Sequence, residues 1–256
     1  MKKKFMSFLL ALALVFTMAP MGLVAHAETY EGLLGRNVHY SINATSGVMT
    51  VSGSGPMEDY NQCPISSCSR YIKKIIVEPG VTRIGNSVFE ELYDLVGVSL
   101  PDTVTEIGEY AFSSCYNLKS CPLPSKLRKI EDRAFNACSK LVGMTLPSTL
   151  KELGEGAFCY CKSISSINIP DGVKEIPSGA FADCYGLKKI SIGKGVKKIA
   201  WQAFHHAGLT SLVIPANVTE IEHTTFALRA ATIWSTLPLR EKSKRFQTAC
   251  ARTARL

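Results

Sequence analysis

The sequence predicts a repeat solenoid: a horseshoe-like, strand-rich stack of short parallel strands joined by short helical or irregular turns, with a 23-residue period. Three observations predict it. Phenylalanine recurs at Phe89, Phe112, Phe135, Phe158, Phe181 and Phe204, then at Phe226 after a step of 22. Cysteine keeps the same interval three residues later, at Cys115, Cys138, Cys161 and Cys184. Aliphatic residues, most of them followed by proline, recur at Val77, Leu100, Leu123, Leu146, Ile169, Ile192 and Ile214. A constant interval of this length marks units that bury their apolar face only against a neighbour.

The chain opens with Met1-Lys-Lys-Lys4, runs apolar from Phe5 to Val24 and reaches Ala25-His-Ala27. A basic start, an apolar stretch and a small-x-small site predict a secretory signal peptide over residues 1–27. The alternative is an uncleaved anchor, although Pro20 and Gly22 interrupt the stretch near its end. No later segment is apolar for long enough to span a bilayer. The solenoid itself is read over residues 72–228, as about seven units. Within a unit, Leu118 to Leu123 has inward apolar and outward polar residues, which predicts a short parallel strand that proline ends. Gly108 to Ser114 predicts one short helical turn that swings Phe112 into the core. Two further apolar columns, Val104/Leu127/Leu150 and Ile107/Ile130/Leu153, complete the spine.

The run Ile107-x-x-x-Ala111-Phe112-x-x-Cys115-x-x-Leu118, repeated from Ile72 to Phe226, resembles the BspA-like branch of leucine-rich repeat proteins. The resemblance implies a leucine-rich repeat fold and a surface protein that adheres to host matrix proteins or to other cells. It also implies an N-terminal hairpin cap over residues 28–71, with Asn43-Ala-Thr-Ser-Gly47 as its turn. Cys63-Pro64 stands where that family often has tryptophan.

Residues 229–256 break the period, with Arg229 and Thr232 where the template wants small or apolar residues. They read as a basic tail, disordered or produced by truncation or frameshift. The alternative is a folded C-terminal cap in which Ile233, Trp234 and Leu237 cover the last unit. The tail also distorts the charge. The formal net charge is +8, but three lysines open the chain and seven basic residues follow Leu228, leaving 19 basic against 20 acidic residues between. Nucleic acid is therefore not expected as a partner.

Nine cysteines in an exported chain invite disulfides. The ladder column, however, also accepts Leu92 and Ala207, so it predicts small buried free thiols. Cys121 joins them, Cys159 faces outward, and Cys63 with Cys68 is either a local disulfide or two thiols. No metal set is visible, since Cys159-Tyr-Cys161 lacks ligand spacing. No nucleophile elbow or cofactor motif is visible either. His205-His206 takes the outward slots held by Ser113-Ser114, and Glu106, Glu152, Glu175 and Glu220 recur with Arg83, Lys129 and Lys198 as a charge ladder.

Three surfaces are candidates for binding. The outward strand positions Ser120, Thr145, Ser166, Asn168, Lys189, Ser191 and Ser211 form a flat, weakly polar face. Arg128, Lys151, Lys174 and Lys197 form a basic stripe able to attract a surface glycan or other anionic polymer. Trp201 is a lone aromatic anchor in a polar column. The expected function is non-enzymatic, secreted or cell-surface recognition of a protein or glycan. The alternative is a structural spacer, a fragment of a larger surface protein.

Overall fold

The computed structural model describes residues 28–222 and the backbone of one further strand, Thr232–Ser235. Residues 1–27, where a signal peptide is expected, His223, Phe226 and the side chains of the expected tail lie outside the described residues.

Three antiparallel strands open the fold: β1 (Thr29–Gly35), β2 (Val38–Asn43) and β3 (Val48–Gly53). The β2–β3 turn closes because the Asn43 carbonyl and side-chain oxygens accept from the Gly47 and Ser46 amides, both at 2.9 Å. Gly47 sits at φ 71, where a side chain would be strained. Leu34, Val38, Ile42, Met49 and Val51 bury the inner face. β3 then changes partner and pairs in parallel with the first repeat strand, which starts the stack.

Two strand columns run along the solenoid. The first holds β3, β5 (Lys74–Val77), β7 (Gly97–Ser99), β11 (Ser166–Ile169), β13 (Lys189–Ile192), β15 (Ser211–Ile214) and β17 (Thr232–Ser235), all joined in parallel where they pair. The expected strand at Leu118–Leu123 is not regular. It makes a single bridge, Ser120 to Gly97, and the next unit makes none. Pro122 has no amide proton to donate, and Gly143 turns to φ 62, so the ladder lapses across these two units. Inward alternation survives: Leu118, Cys121, Leu141 and Met144 are all buried.

A second column, absent from the expected unit, holds β4 (Gly55–Pro56), β6 (Val81–Ile84), β8 (Glu106–Ile107), β9 (Lys129–Ile130), β10 (Glu152–Leu153), β12 (Glu175–Ile176), β14 (Lys198–Ile199) and β16 (Glu220–Ile221). It splits between β10 and β12. Gly108, Glu131, Gly154 and Ala200 each donate an amide to the Ile carbonyl of the preceding unit at 2.8–2.9 Å. Pro177 occupies the same place and cannot donate. Glu152 also stands beside Glu175 here, a like-charge neighbour that disfavours pairing.

The third side carries the phenylalanines, and it is not the expected helical turn. The only helix among the described residues is a short 3-10 segment, Ser66–Tyr71. Instead, two slots per unit take left-handed backbone: Ser87, Tyr110, Arg133, Gly156, Gly179 and Gln202 in one, and Glu91, Ser114, Ala137, Tyr160, Asp183 and His206 in the other. This alternation aims every second amide along the stack. Tyr110, Phe112 and Ser114 donate to the carbonyls of Asp132, Ala134 and Asn136 in the next unit at 2.8–3.0 Å. Regular helix would have spent those donors internally.

The core is one continuous spine. Phe89, Phe112, Phe135, Phe158, Phe181 and Phe204 are fully buried and stack ring on ring, with centroids 5.3–5.8 Å apart. The cysteines of the described residues are free thiols, including Cys63 and Cys68. Cys115, Cys138, Cys161 and Cys184 do more than fill space. Their thiols donate to the carbonyls of Phe89, Phe112, Phe135 and Phe158, one unit back, at 3.0–3.2 Å. Cys63 does the same toward Val88 at 3.4 Å, tying the cap loop to the first unit.

Candidate binding surfaces

The first strand column places its outward residues on one solvent-facing surface. Ser120, Thr145, Ser166, Asn168, Lys189, Ser191 and Ser211 are all exposed. Pairing of β11 with β13 sets Ser166 against Lys189 and Asn168 against Ser191, whose side chains hydrogen-bond. These four make the ordered centre of the face. Ser211 follows on β15, next to β13. Thr145 and Ser120 lie in the two units where regular pairing lapses, so they border the centre rather than belong to it.

The corner before the second column carries the basic stripe. Arg128, Lys151, Lys174 and Lys197 are exposed, and none makes an ion pair among the described residues. One residue further along, the charges are consumed. Arg83 contacts Asp59, Glu106 at 3.0 Å and Glu131 at 3.4 Å. Lys129 contacts Glu131 at 2.9 Å and Glu152 at 3.9 Å, while Lys198 contacts Glu222 at 2.7 Å and Glu175 at 3.1 Å. Burial opposes ionisation of Asp59, yet hydrogen bonds from Arg83 and the Asn86 amide hold its carboxyl below the usual range. Hydrogen bonds to Glu222 and then Glu175 raise Lys198 above the usual lysine value. The second column is a structural ion ladder of the kind its sequence order implies.

Trp201 is 50% exposed, at the end of the described stack, and its amide donates to Glu222 at 2.9 Å. Four tyrosines escaped notice in the sequence. Tyr93, Tyr116 and Tyr185, on the edge that follows the phenylalanine turn, and Tyr160, within the turn itself, are 46–50% exposed. Tyr93 and Tyr116 stack at 5.4 Å and 5°. The available signal was tyrosine four residues after Phe89, Phe112 and Phe181.

The paired histidines are not both outward. His206 is exposed, but His205 is half-buried and its counterpart Ser113 is buried, because that slot faces the neighbouring turn. His206 Nδ1 lies 3.0 Å from Asp183, which also accepts from the Tyr185 hydroxyl at 2.8 Å. Cys159, expected to face outward, is half-buried. Burial pushes it up to about 11, away from reactive thiolate. Among the described residues no group of three or more His, Cys, Asp or Glu could hold a metal ion, and no helix is long and apolar enough to cross a membrane.

A family model of the BspA type leucine rich repeat region matches in six copies, over residues 66–161 and 106–232. No curated protein matches the chain. Among solved structures, a leucine rich cell surface protein from Faecalibacterium prausnitzii A2-165 is similar over 86% of this chain and 56% of its own, at 26% identity and a TM-score of 0.61. A leucine-rich repeat protein from Eubacterium ventriosum ATCC 27560 is similar over 82% and 73%, at 20% identity and a TM-score of 0.58. One from Bacteroides ovatus ATCC 8483 is similar over 80% and 67%, at 23% identity and a TM-score of 0.52. The last two likenesses are of fold. The chain spans just over half the length of the Faecalibacterium protein.

Proposed function

Because the chain belongs to the BspA-type leucine-rich repeat family, we propose that it is an exported, non-enzymatic module that recognises a protein at a cell surface. The observation that carries the reading is the strand face itself. Ser166, Asn168, Lys189 and Ser191 stand exposed on two paired strands, small enough to admit a partner closely and polar enough to bond with it. A rigid stack beneath them means that binding need not order the surface first. The basic start and apolar stretch of residues 1–27 support export. The 26% identical Faecalibacterium protein, described as a cell surface protein, supports the location.

The test is surface plasmon resonance of the purified chain on immobilised extracellular-matrix proteins and on whole cells. The triple substitution Ser166→Trp, Asn168→Trp and Lys189→Trp should weaken binding at least about tenfold while leaving the melting temperature unchanged. A spacer would be indifferent to those changes, and equal binding by the triple variant would sink the recognition reading.

A further inference from the structure

We propose that the corner bearing Arg128, Lys151, Lys174 and Lys197 is a second binding site, distinct from the strand face, for a linear acidic polysaccharide. Two adjacent columns of the same fold treat their charges in opposite ways. Lys129 and Lys198 are tied down by Glu131, Glu152, Glu175 and Glu222. The residues one position earlier in each unit, Arg128, Lys151, Lys174 and Lys197, are exposed without an ion-pair partner among the described residues. Like charges on successive rungs repel, so the row is unfavourable in the free protein and is relieved by a polyanion.

The geometry is one-dimensional. Amide bonds at 2.8 Å join Arg128 to the Thr105 carbonyl, Lys151 to that of Arg128, Lys197 to that of Lys174 and Thr219 to that of Lys197, so the row is two bonded pairs that meet where the second column splits. Successive units stack at a short, regular step, their phenylalanine rings 5.3–5.8 Å apart. One pyranose ring extends a chain by a length of the same order, so a polyuronate carries carboxylates along its length at a spacing comparable with the unit repeat. Thr105 and Thr219 end the row with neutral hydroxyls. Glu152 and Glu175, the acids nearest the row, are held by Lys129 at 3.9 Å and Lys198 at 3.1 Å. A single-stranded nucleic acid fits less well. The flanking positions Lys126, Thr149, Gly172 and Gly195 offer no aromatic ring on which bases could stack.

The test is isothermal titration of the full chain with polygalacturonate at low salt. Replacing the row (R128Q/K151Q/K174Q/K197Q) should weaken binding at least about tenfold and reduce the salt slope by about 3. The arginine version (K151R/K174R/K197R) should retain affinity, which separates charge from folding. Removing four charges from the strand side (K119Q/K140Q/K188Q/K189Q), or from the tail (R240Q/K242Q/K244Q/R245Q), should change affinity less than about twofold. Either control losing as much as the row variant would overturn the proposal. So would an unchanged row variant, or tighter binding of a single-stranded oligonucleotide than of polygalacturonate. The triple tryptophan variant of the strand face should bind polygalacturonate normally, so the two sites fail independently.

Discussion

At the scale of single residues, the thiol column carries the sharpest consequences. Burial pushes Cys121 up to about 12 and raises Cys115, Cys138, Cys161 and Cys184 as well. In an unfolded chain a thiol ionises near about 8.5. Between those values the folded state keeps protons that the unfolded state releases, so stability falls as pH rises. It is full below about pH 8 and declines by up to about 1.4 kcal/mol per pH unit for each buried thiol. Urea denaturation at neutral pH and again near pH 10 should show a loss of several kcal/mol, on the order of that slope summed over the column. Cys138→Ala should reduce the loss and cost about 1–2 kcal/mol at neutral pH, because the Phe112 carbonyl loses the thiol and a small void opens. The left-handed slots make a second prediction. Ala137 sits at φ 59, so Ala137→Gly should stabilise by about 0.5–1 kcal/mol and Ala137→Val should destabilise, both measurable by denaturation.

At the scale of elements, the fold was legible in unequal measure. Phe89 to Phe204 and Cys115 to Cys184 announced themselves because each column uses one side-chain type at a constant interval. The second strand column did not. Its strands β8, β9 and β10 are two residues long, too short for alternation to register, and their outward members change sign from rung to rung. The left-handed slots were hidden for another reason. Tyr110 and Arg133 adopt the same backbone as Gly156 and Gly179, because the inter-unit amide bonds offset the strain that side chains incur there. The strand face was legible as a face, but Pro122 and Gly143 divide it in a way that side-chain polarity alone does not reveal. Pro122→Ser should restore a donor toward the preceding unit. It should create a slowly exchanging amide at position 122 and raise stability by up to about 1 kcal/mol, read by hydrogen exchange and denaturation.

At the scale of the whole molecule, the units act as neighbours in a line. Each contributes one ring, one small or apolar side chain that is a thiol in four units, and two aliphatic rungs to a spine that no unit could bury alone. That rigidity is what lets chemically plain surface residues stay in register as a strand face and as a basic row. The central claim is that adjacent units are energetically coupled through the phenylalanine stack. The most direct measurement is a double-mutant cycle by urea denaturation on Phe135→Ala and Phe158→Ala, whose rings lie 5.4 Å apart and 1° from parallel. Each single change should cost about 3–5 kcal/mol, and the pair should depart from additivity by at least about 0.5 kcal/mol. The distant pair Phe89 and Phe204 should be additive. Additivity at Phe135 and Phe158 as well would mean that the units do not lean on one another through their rings, and would contradict the account.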